Sequence, residues 1–364
     1  MKPRADNGKR PFGLMLVRAD ASATMGAGHV MRCLALAQAW KREGGRVVFV
    51  SDCASPAVRE QILTRGFPLH DGSTGQGKEN DPAFLQAAFE VPGSESPLRP
   101  WVCLDGYHFE ASHQLAFKDK GFGVLVVDDT GRQPCLVPDI LLNQNLHAES
   151  LSYSCGPDTT LLLGPRYVLI REEFLEWRAV ERPVPEKAGK VLVTVGGGDS
   201  PEVLEKIVAA IARVRLPDLE VAVIAGNSTE RLEARFGSGR EKGHRFRFLA
   251  CTSAMPQLMA WADVAVSAAG STCWELAYMG LPSLVGILAD NQERIAQGLG
   301  GKGVALNLGW FHAVDEEAIA GSLVSILADE GGRREMSRKG RALIDGSGAR
   351  RVCEHIAAKE RKGV

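Results

Sequence analysis

The stretch KVLVTVGGGDSPEVLEKIVAAIARV, Lys190 to Val214, decides how this chain of 364 residues is organised. It runs as an apolar strand, turns on three glycines and continues into a helix-like segment. The same order occurs earlier: GLMLVRAD (13–20) reads as a first strand, ASATMGAGH (21–29) as a glycine-bearing loop, and HVMRCLALAQAWKREGG (29–45) as a helix. In that helix Val30, Cys33, Leu34, Ala37 and Trp40 keep helical spacing and Gly44 is the stop. Between the two units, REEFLEWRAVERPVPEKAGK (171–190) is charged and carries Pro183 and Pro185, the character of an exposed linker.

Each unit continues with buried-type strands followed by helical segments. RVVFVSD, WVCLDGY and VLVVDD belong to the first; EVAVIAG, FRFLACT, VAVSAAG and PSLVGI belong to the second. Such alternation predicts α/β architecture, two Rossmann-like domains with parallel sheets facing each other across a cleft. The expected division is a flexible extension over 1–11, an N-terminal domain over 12–177, a linker over 178–188 and a C-terminal domain over 189–345. The last segment, 346–364, reads as a helix that crosses back. DGSTGQGKENDP (71–82) reads as a mobile surface loop.

Composition narrows the function classes. A chain of this length exceeds the roughly 250–300 residues at which single cores stop growing. Its 45% apolar and 24% charged residues are ordinary for a globular protein. A formal net charge of −1 argues against a general nucleic-acid binder. The 8 cysteines include no CxxC pair and several lie in apolar strands, which reads as buried thiols in a reducing compartment, the cytoplasm. Neither a secretory signal nor an apolar run of about 20 residues is evident, so membrane insertion is not expected.

Four constellations carry chemistry. The first is Arg18 and Asp20 with Gly26, Gly28, His29 and Arg32. The glycines permit a tight turn and close approach to a ligand. His29 stands at the start of a helix and beyond a strand's carboxyl end, where an imidazole can act as a general base for water. Arg32, one turn on, is a candidate phosphate contact. A turn with a surface histidine is the bland alternative, and it carries comparable weight.

The second is SAAGSTCWELAYMGLP (267–282), in which Gly270 delivers Ser271 and Thr272 to a helix N-terminus. Free N–H groups and two hydroxyls there suit a diphosphate. Glu275, one turn in, suits the two hydroxyls of a ribose, and Asn291 and Gln292 offer amides to a sugar. Plain N-capping by Ser271 or Thr272 is the competing reading.

The third, Gly196 to Asp199, places Gly197 and Gly198 as a phosphate-approach loop but lacks the GxGxxG order and the P-loop Lys-Ser/Thr, and a plain tight strand-to-helix turn is the competing reading of nearly equal weight. The fourth, Asp105 to His108, puts Tyr107 and His108 at the cleft, with Asp105 orienting a partner or capping the chain. Asp128 and Asp129 point to opposite sides of an extended chain, and His108 and His113 lack zinc spacing, so no metal site and no cofactor are expected.

RADASATMGAGHVMRCLALA, LDGYHF, VVDD, ILLNQN and GPRYVLIREEF, in that order, resemble the PseG/SpsG family. From VTVGGGD through AAGSTCWELAYMGLPSLVGILADNQ the chain is also similar to the UDP-sugar half of the lipid-II-forming glycosyltransferase MurG. The resemblance covers roughly residues 14–345. It implies a glycosyltransferase-B-like fold and hydrolysis of a UDP-linked 2,4-diacetamido-2,4,6-trideoxy sugar. The reaction inverts C1 without a divalent metal and releases UDP and the free sugar for pseudaminic acid (nonulosonate) biosynthesis, a route to surface glycans and glycosylated flagellin. His29 corresponds to the family's base and Tyr107 to its tyrosine near the reacting sugar. Gly106 and His108 depart from the family's usual D-H-Y-G order, which bears on the sugar accepted. The competing readings are an inverting UDP-sugar glycosyltransferase of MurG type, a non-catalytic nucleotide-sugar-binding protein and a UDP-sugar 2-epimerase. No amphipathic membrane-facing segment is evident in 1–170, which favours hydrolysis over transfer to a lipid.

Overall fold

The computed structural model describes residues 12–21, 26–53, 55–72, 98–132, 136–196, 200–237, 243–250, 252 and 254–362. The extension 1–11, most of the loop 71–82, and Gly197, Gly198 and Asp199 lie outside the described residues.

Two parallel sheets that share no strand organise the chain. The first contains β1 (Leu14–Ala19), β2 (Arg46–Ser51), β3 (Leu69–Asp71), β4 (Trp101–Asp105), β5 (Gly123–Val127), β6 (Ile140–Asn143) and β7 (Thr160–Leu163). Its order among the described residues is β3-β2-β1-β4-β5-β6-β7. The second contains β8 (Lys190–Thr194), β9 (Glu220–Ile224), β10 (Arg245–Leu249), β11 (Val264–Ala268), β12 (Ser283–Ile287) and β13 (Leu306–Trp310), ordered β10-β9-β8-β11-β12-β13. The described helices of the first half are α1 (Gly28–Arg42), α2 (Pro56–Thr64) and α3 (Ala111–Asp119), followed by the one-turn α4 (Glu172–Leu175). The second half has α5 (Pro201–Arg213), α6 (Thr229–Phe236), α7 (Met255–Trp261), α8 (Thr272–Met279) and α9 (Asp290–Gly301). It closes with α10 (Glu316–Ala328), α11 (Glu330–Leu343) and α12 (Gly348–Lys362).

The apolar strands are continuous because both faces are covered. In β1, Met15, Val17 and Ala19 share a core with α1 and α12, whereas Leu14 and Leu16 pack with Phe117, Phe122 and Phe109 on the other face. Parallel pairing joins Ala19 to Asp105 across β1 and β4. In each sheet the strand order reverses once, between β1 and β4 and between β8 and β11. Neighbouring connections leave such a point toward opposite faces and open a crevice at the carboxyl ends, where α/β folds bind ligands.

The passage between the halves is more interlocked than a bare linker. Tyr167 ends a 3₁₀ turn over Pro165–Tyr167, and from it to Ile170 the side chains divide: Tyr167 and Leu169 enter the N-terminal core while Val168 and Ile170 enter the C-terminal one. Beyond that turn the chain runs on without helix, and alternate side chains of an extended segment point to opposite sides, so one short connection serves two cores. Phe174 is fully buried in the C-terminal core and Trp177 packs against it, several residues before the expected boundary. The last helix returns to the first half: Ala349, Val352, Cys353 and Ile356 of α12 are buried with Cys33, Ala37 and Trp40 of α1. Burying each large aliphatic side chain contributes about 1.5–3 kcal/mol, so this return leg is a substantial tie. Trp101 Nε1 also donates to Glu360 at 3.1 Å.

Candidate functional site

The two strand-order reversals bring the sequence motifs into one cleft. Gly26, with φ of +74°, turns the chain after β1, and α1 starts at Gly28. Across the cleft, α8 starts at Thr272 with Ser271 preceding it. A β-carbon on Gly28 would lie 3.2 Å from Ser271 Oγ, so the two helix N-termini face each other at close range. Both ends carry the partial positive charge of unpaired N–H groups, which suits a diphosphate between them. The Ser271 side chain makes no capping hydrogen bond, so plain N-capping does not account for that hydroxyl.

Beside this pair stands a buried polar chain. His29 is 7% exposed and Asp105 fully buried, with His29 Nδ1 at 2.6 Å from Asp105 Oδ1. Arg32 clamps the same carboxylate from two atoms, Nε to Oδ2 at 2.6 Å and Nη2 to Oδ1 at 2.7 Å. Arg32 Nη2 also lies 3.2 Å from His29 Nδ1, but a guanidinium only donates and the carboxylate only accepts. The shorter contact therefore assigns the proton to Nδ1, and Nε2 keeps its lone pair. Burial alone would push the Asp105 carboxyl up, yet Arg32 and His29 beside it hold it well below the usual carboxylate range. An Asp105 ionised at neutral pH is what an imidazole needs in order to accept a second proton.

Arg32 does not reach for phosphate, contrary to expectation. Its Nη1 donates to both oxygens of Asp129 at 2.9 and 2.8 Å, and with Asp105 this engages every nitrogen of the guanidinium in a buried setting. Helical spacing put Arg32 and His29 on one face, but the ends of β4 and β5 supply two carboxylates there, and a buried arginine pairs with them first. Asp129 also accepts from Asn145 Nδ2 at 2.7 Å, and Asn145 Nδ2 lies 3.0 Å from Asn143 Oδ1. The adjacent Asp128 instead closes its own turn, accepting from Thr130 and Gly131.

Tyr107 edges onto the His29 ring, with centroids 5.3 Å apart and planes at 86°. Its hydroxyl accepts from Asn291 Nδ2 at 2.9 Å, a bond across the cleft from the turn after β4 to the start of α9. Partial burial pushes the Tyr107 phenol up to about 12, and Asp129 adds to the effect. Next to this pair, His108 Nε2 lies 3.4 Å from Asp20 Oδ2, and Asp20 is paired with Arg18 and accepts from Asp52 N at 2.7 Å.

In the C-terminal half the expected residues converge with two adjustments. Glu275 Oε1 already accepts from Arg171 Nε at 2.7 Å. Gln292 Oε1 accepts from Leu288 N at 2.9 Å, which fixes the loop before α9. The Gln292 amide nitrogen would stand 3.9 Å from a β-carbon on Gly270, so its donor end faces the start of α8. Gly197 and Gly198 lie outside the described residues, although β8, which precedes them, stands at the second reversal.

Sequence reasoning weighed Asp129 only as half of a metal pair, and it did not single out Asn145 or Arg171. All three sit in VVDD, ILLNQN and REEF, strings that carried the resemblance without assigning these residues to the site. The available signal was a polar residue at the carboxyl end of a buried strand. Among the described residues no group of three or more His, Cys, Asp or Glu side chains is placed to hold a metal ion, and no helix is long and apolar enough to cross a membrane.

Comparison with known proteins supports the fold that holds these residues. Spore coat polysaccharide biosynthesis protein SpsG of Bacillus subtilis (strain 168) is 28% identical over 196 residues. That match takes in 54% of this chain and 57% of the relative, so the chain spans little more than half the length of that protein. Among solved structures, Acinetobacter baumannii MurG superposes with a TM-score of 0.65 at 17% identity, over 97% of this chain and 100% of that one. LpCGTa in complex with UDP gives a TM-score of 0.62 at 15% identity, over 96% and 99%. Residues 190–343 match the glycosyltransferase family 28 C-terminal domain. The chain has the glycosyltransferase-B fold, and its second half is similar to the glycosyltransferase family 28 C-terminal domain.

Proposed function

We propose that this chain transfers a glycosyl group from a UDP-sugar to a hydroxyl nucleophile, with His29 as the base. The observation that carries the reading is the buried Asp105–His29 pair, with Nε2 of the imidazole left as the acceptor, beside two facing helix N-termini. His29 Nε2 takes the proton of the attacking hydroxyl, a new C1–O bond forms on the face opposite the leaving group, and the old C1–O bond breaks. UDP departs with the bonding electrons toward Ser271 and Thr272, and Glu275 takes ribose hydroxyls. Asp105 keeps the ring oriented and balances the imidazolium, and Tyr107 borders the reacting sugar. The cleft lies between the domains proposed over 12–177 and 189–345.

The similarity to glycosyltransferases of family 28 and to MurG supports an alcohol as the acceptor more than it supports water. Hydrolysis, the first expectation from sequence, is the second reading. It is favoured by the Tyr107–Asn291 bond, which bridges the cleft beside His29 and leaves less room for a large acceptor than for water. The 2,4-diacetamido-2,4,6-trideoxy sugar and the nonulosonate route rest on the sequence resemblance.

The deciding assay incubates the full chain with UDP-N-acetylglucosamine and with UDP-2,4-diacetamido-2,4,6-trideoxyhexoses, in EDTA, with and without alcohol acceptors. UDP release that requires an acceptor supports transfer. Equal amounts of UDP and free sugar without any acceptor establish hydrolysis instead. UDP binding without turnover in either arm leaves the binding-protein reading.

A further inference from the structure

The carboxylate assigned to ribose is held from behind. Arg171 is 6% exposed, lies just before α4, and aims Nε at Glu275 Oε1 at 2.7 Å. Its Nη1 donates to Glu173 Oε1 at 3.0 Å. Glu173 is in turn tied to the first half, receiving Arg65 Nη2 at 2.6 Å on Oε1 and Gln38 Nε2 at 3.2 Å on Oε2. Gln38 Oε1 also accepts from Glu172 N at 2.9 Å. The chain Gln38 and Arg65, Glu173, Arg171, Glu275 thus runs from α1 and the end of α2, through the segment joining the halves, into the first turn of α8.

A carboxylate on a short helix rotates freely unless something fixes it. Only a fixed one accepts from two vicinal hydroxyls at once, and that bidentate acceptance separates a ribose from a deoxyribose. Arg171 supplies the fixing charge, and Glu173 with its partners keeps the guanidinium from turning away. Diphosphate contacts at a helix N-terminus make no such distinction, since both kinds of nucleotide carry the same diphosphate.

We infer that Arg171 is a positioning residue that orients Glu275 and so makes the site selective for ribonucleoside over deoxyribonucleoside diphosphates. This rests on the nucleotide-sugar reading above, and it concerns the sugar of the nucleotide rather than the sugar transferred.

The test is calorimetric titration of the full chain with UDP and with 2′-deoxyuridine diphosphate. Wild type is expected to prefer UDP by about tenfold or more, the scale of one hydrogen bond to a charged group. Arg171→Gln brings the two affinities to within about threefold while the protein retains its circular dichroism, and Arg171→Lys, which keeps the charge but not the fork, falls between. If Arg171→Gln does not fold, the intermediate ratio of Arg171→Lys decides the matter. An undiminished preference in the variant that folds overturns the inference. Equal wild-type affinity for the two nucleotides also overturns it and leaves the UDP-sugar reading standing. Failure of wild type to bind either nucleotide removes both.

Discussion

Gly28 and Ser271 meet across the cleft so closely that a β-carbon on the glycine would lie 3.2 Å from the serine Oγ. One residue begins α1 of the first half and the other immediately precedes α8 of the second. The contact places the helix that carries His29 and the helix that follows Ser271 on the two walls of one gap. The width of that gap is therefore a property of both halves together.

Enlarging Gly28 tests this width. Gly28→Ala asks its neighbour to yield by a few tenths of an ångström and is expected to have a small effect. Gly28→Val pushes directly on Ser271 and is expected to lower kcat/KM by on the order of 10- to 100-fold, the scale of a misplacement near 1 Å. Steady-state kinetics of the two variants against wild type is the measurement, and equal rates for all three would mean that the gap is not where the substrate lies.

Removing the proposed base separates binding from chemistry. His29→Asn is expected to slow glycosyl transfer or hydrolysis by about 10²- to 10⁴-fold, the range for general-base loss. UDP affinity, assigned by the proposal to the second half, is expected to stay within a few fold by calorimetry. A near-wild-type rate would shift the base to another group, with His108 beside Asp20 the first to examine.

Asp105→Asn tests both orientation and charge. An amide can offer Nδ1 of His29 a donor and stabilise the wrong tautomer, so a rate loss reaching about 10⁴-fold is expected. It also leaves buried Arg32 with less compensation, a loss of about 3–5 kcal/mol in stability. The pH dependence has a definite sign. The folded carboxyl titrates below its ordinary 3.8, so its stabilisation is fully present above that value and is lost as pH falls through the lower, folded value. Denaturant melts from pH 6 downward are expected to show wild type losing this contribution below about pH 4, and Asp105→Asn lacking that part of the decline.

Tyr107 stays a phenol well into the alkaline range, because its hydroxyl is pushed up to about 12. No change in rate near pH 10 is therefore expected from it, and wild type and Tyr107→Phe should share the shape of their pH–rate profiles up to pH 10.5. The variant loses the hydroxyl that receives Asn291, so a lower rate at every pH is expected. An alkaline limb present in wild type and absent from Tyr107→Phe would contradict this.

The architecture was legible because its signals are local. Three glycines after the strand at Lys190 and a glycine pair before His29 mark two strand-to-helix turns, and buried parallel strands read as continuous apolar runs. The site was legible only in part. Ser271, Thr272, Glu275 and His29 stand at helix starts that the sequence announces. The partners of Arg32 do not: Asp105 and Asp129 lie 73 and 97 residues away in the chain, and only the order of strands makes them neighbours. The packing of Val168, Ile170 and Phe174 against the second core was hidden for the same reason, since the charged residues that follow look like a linker when read locally.

The sequence by itself determined the element types, the two strand–glycine–helix starts and the residue kinds available at each carboxyl edge, because these depend on periodicity and backbone freedom within about a dozen residues. The tertiary structure alone decided which charges pair. It turned Arg32 from a phosphate contact into the clamp of Asp105, set Arg171 behind Glu275, and closed Asn291 onto Tyr107. In a buried site, attraction between opposite charges depends on separation through space, and separation along the chain carries no information about it.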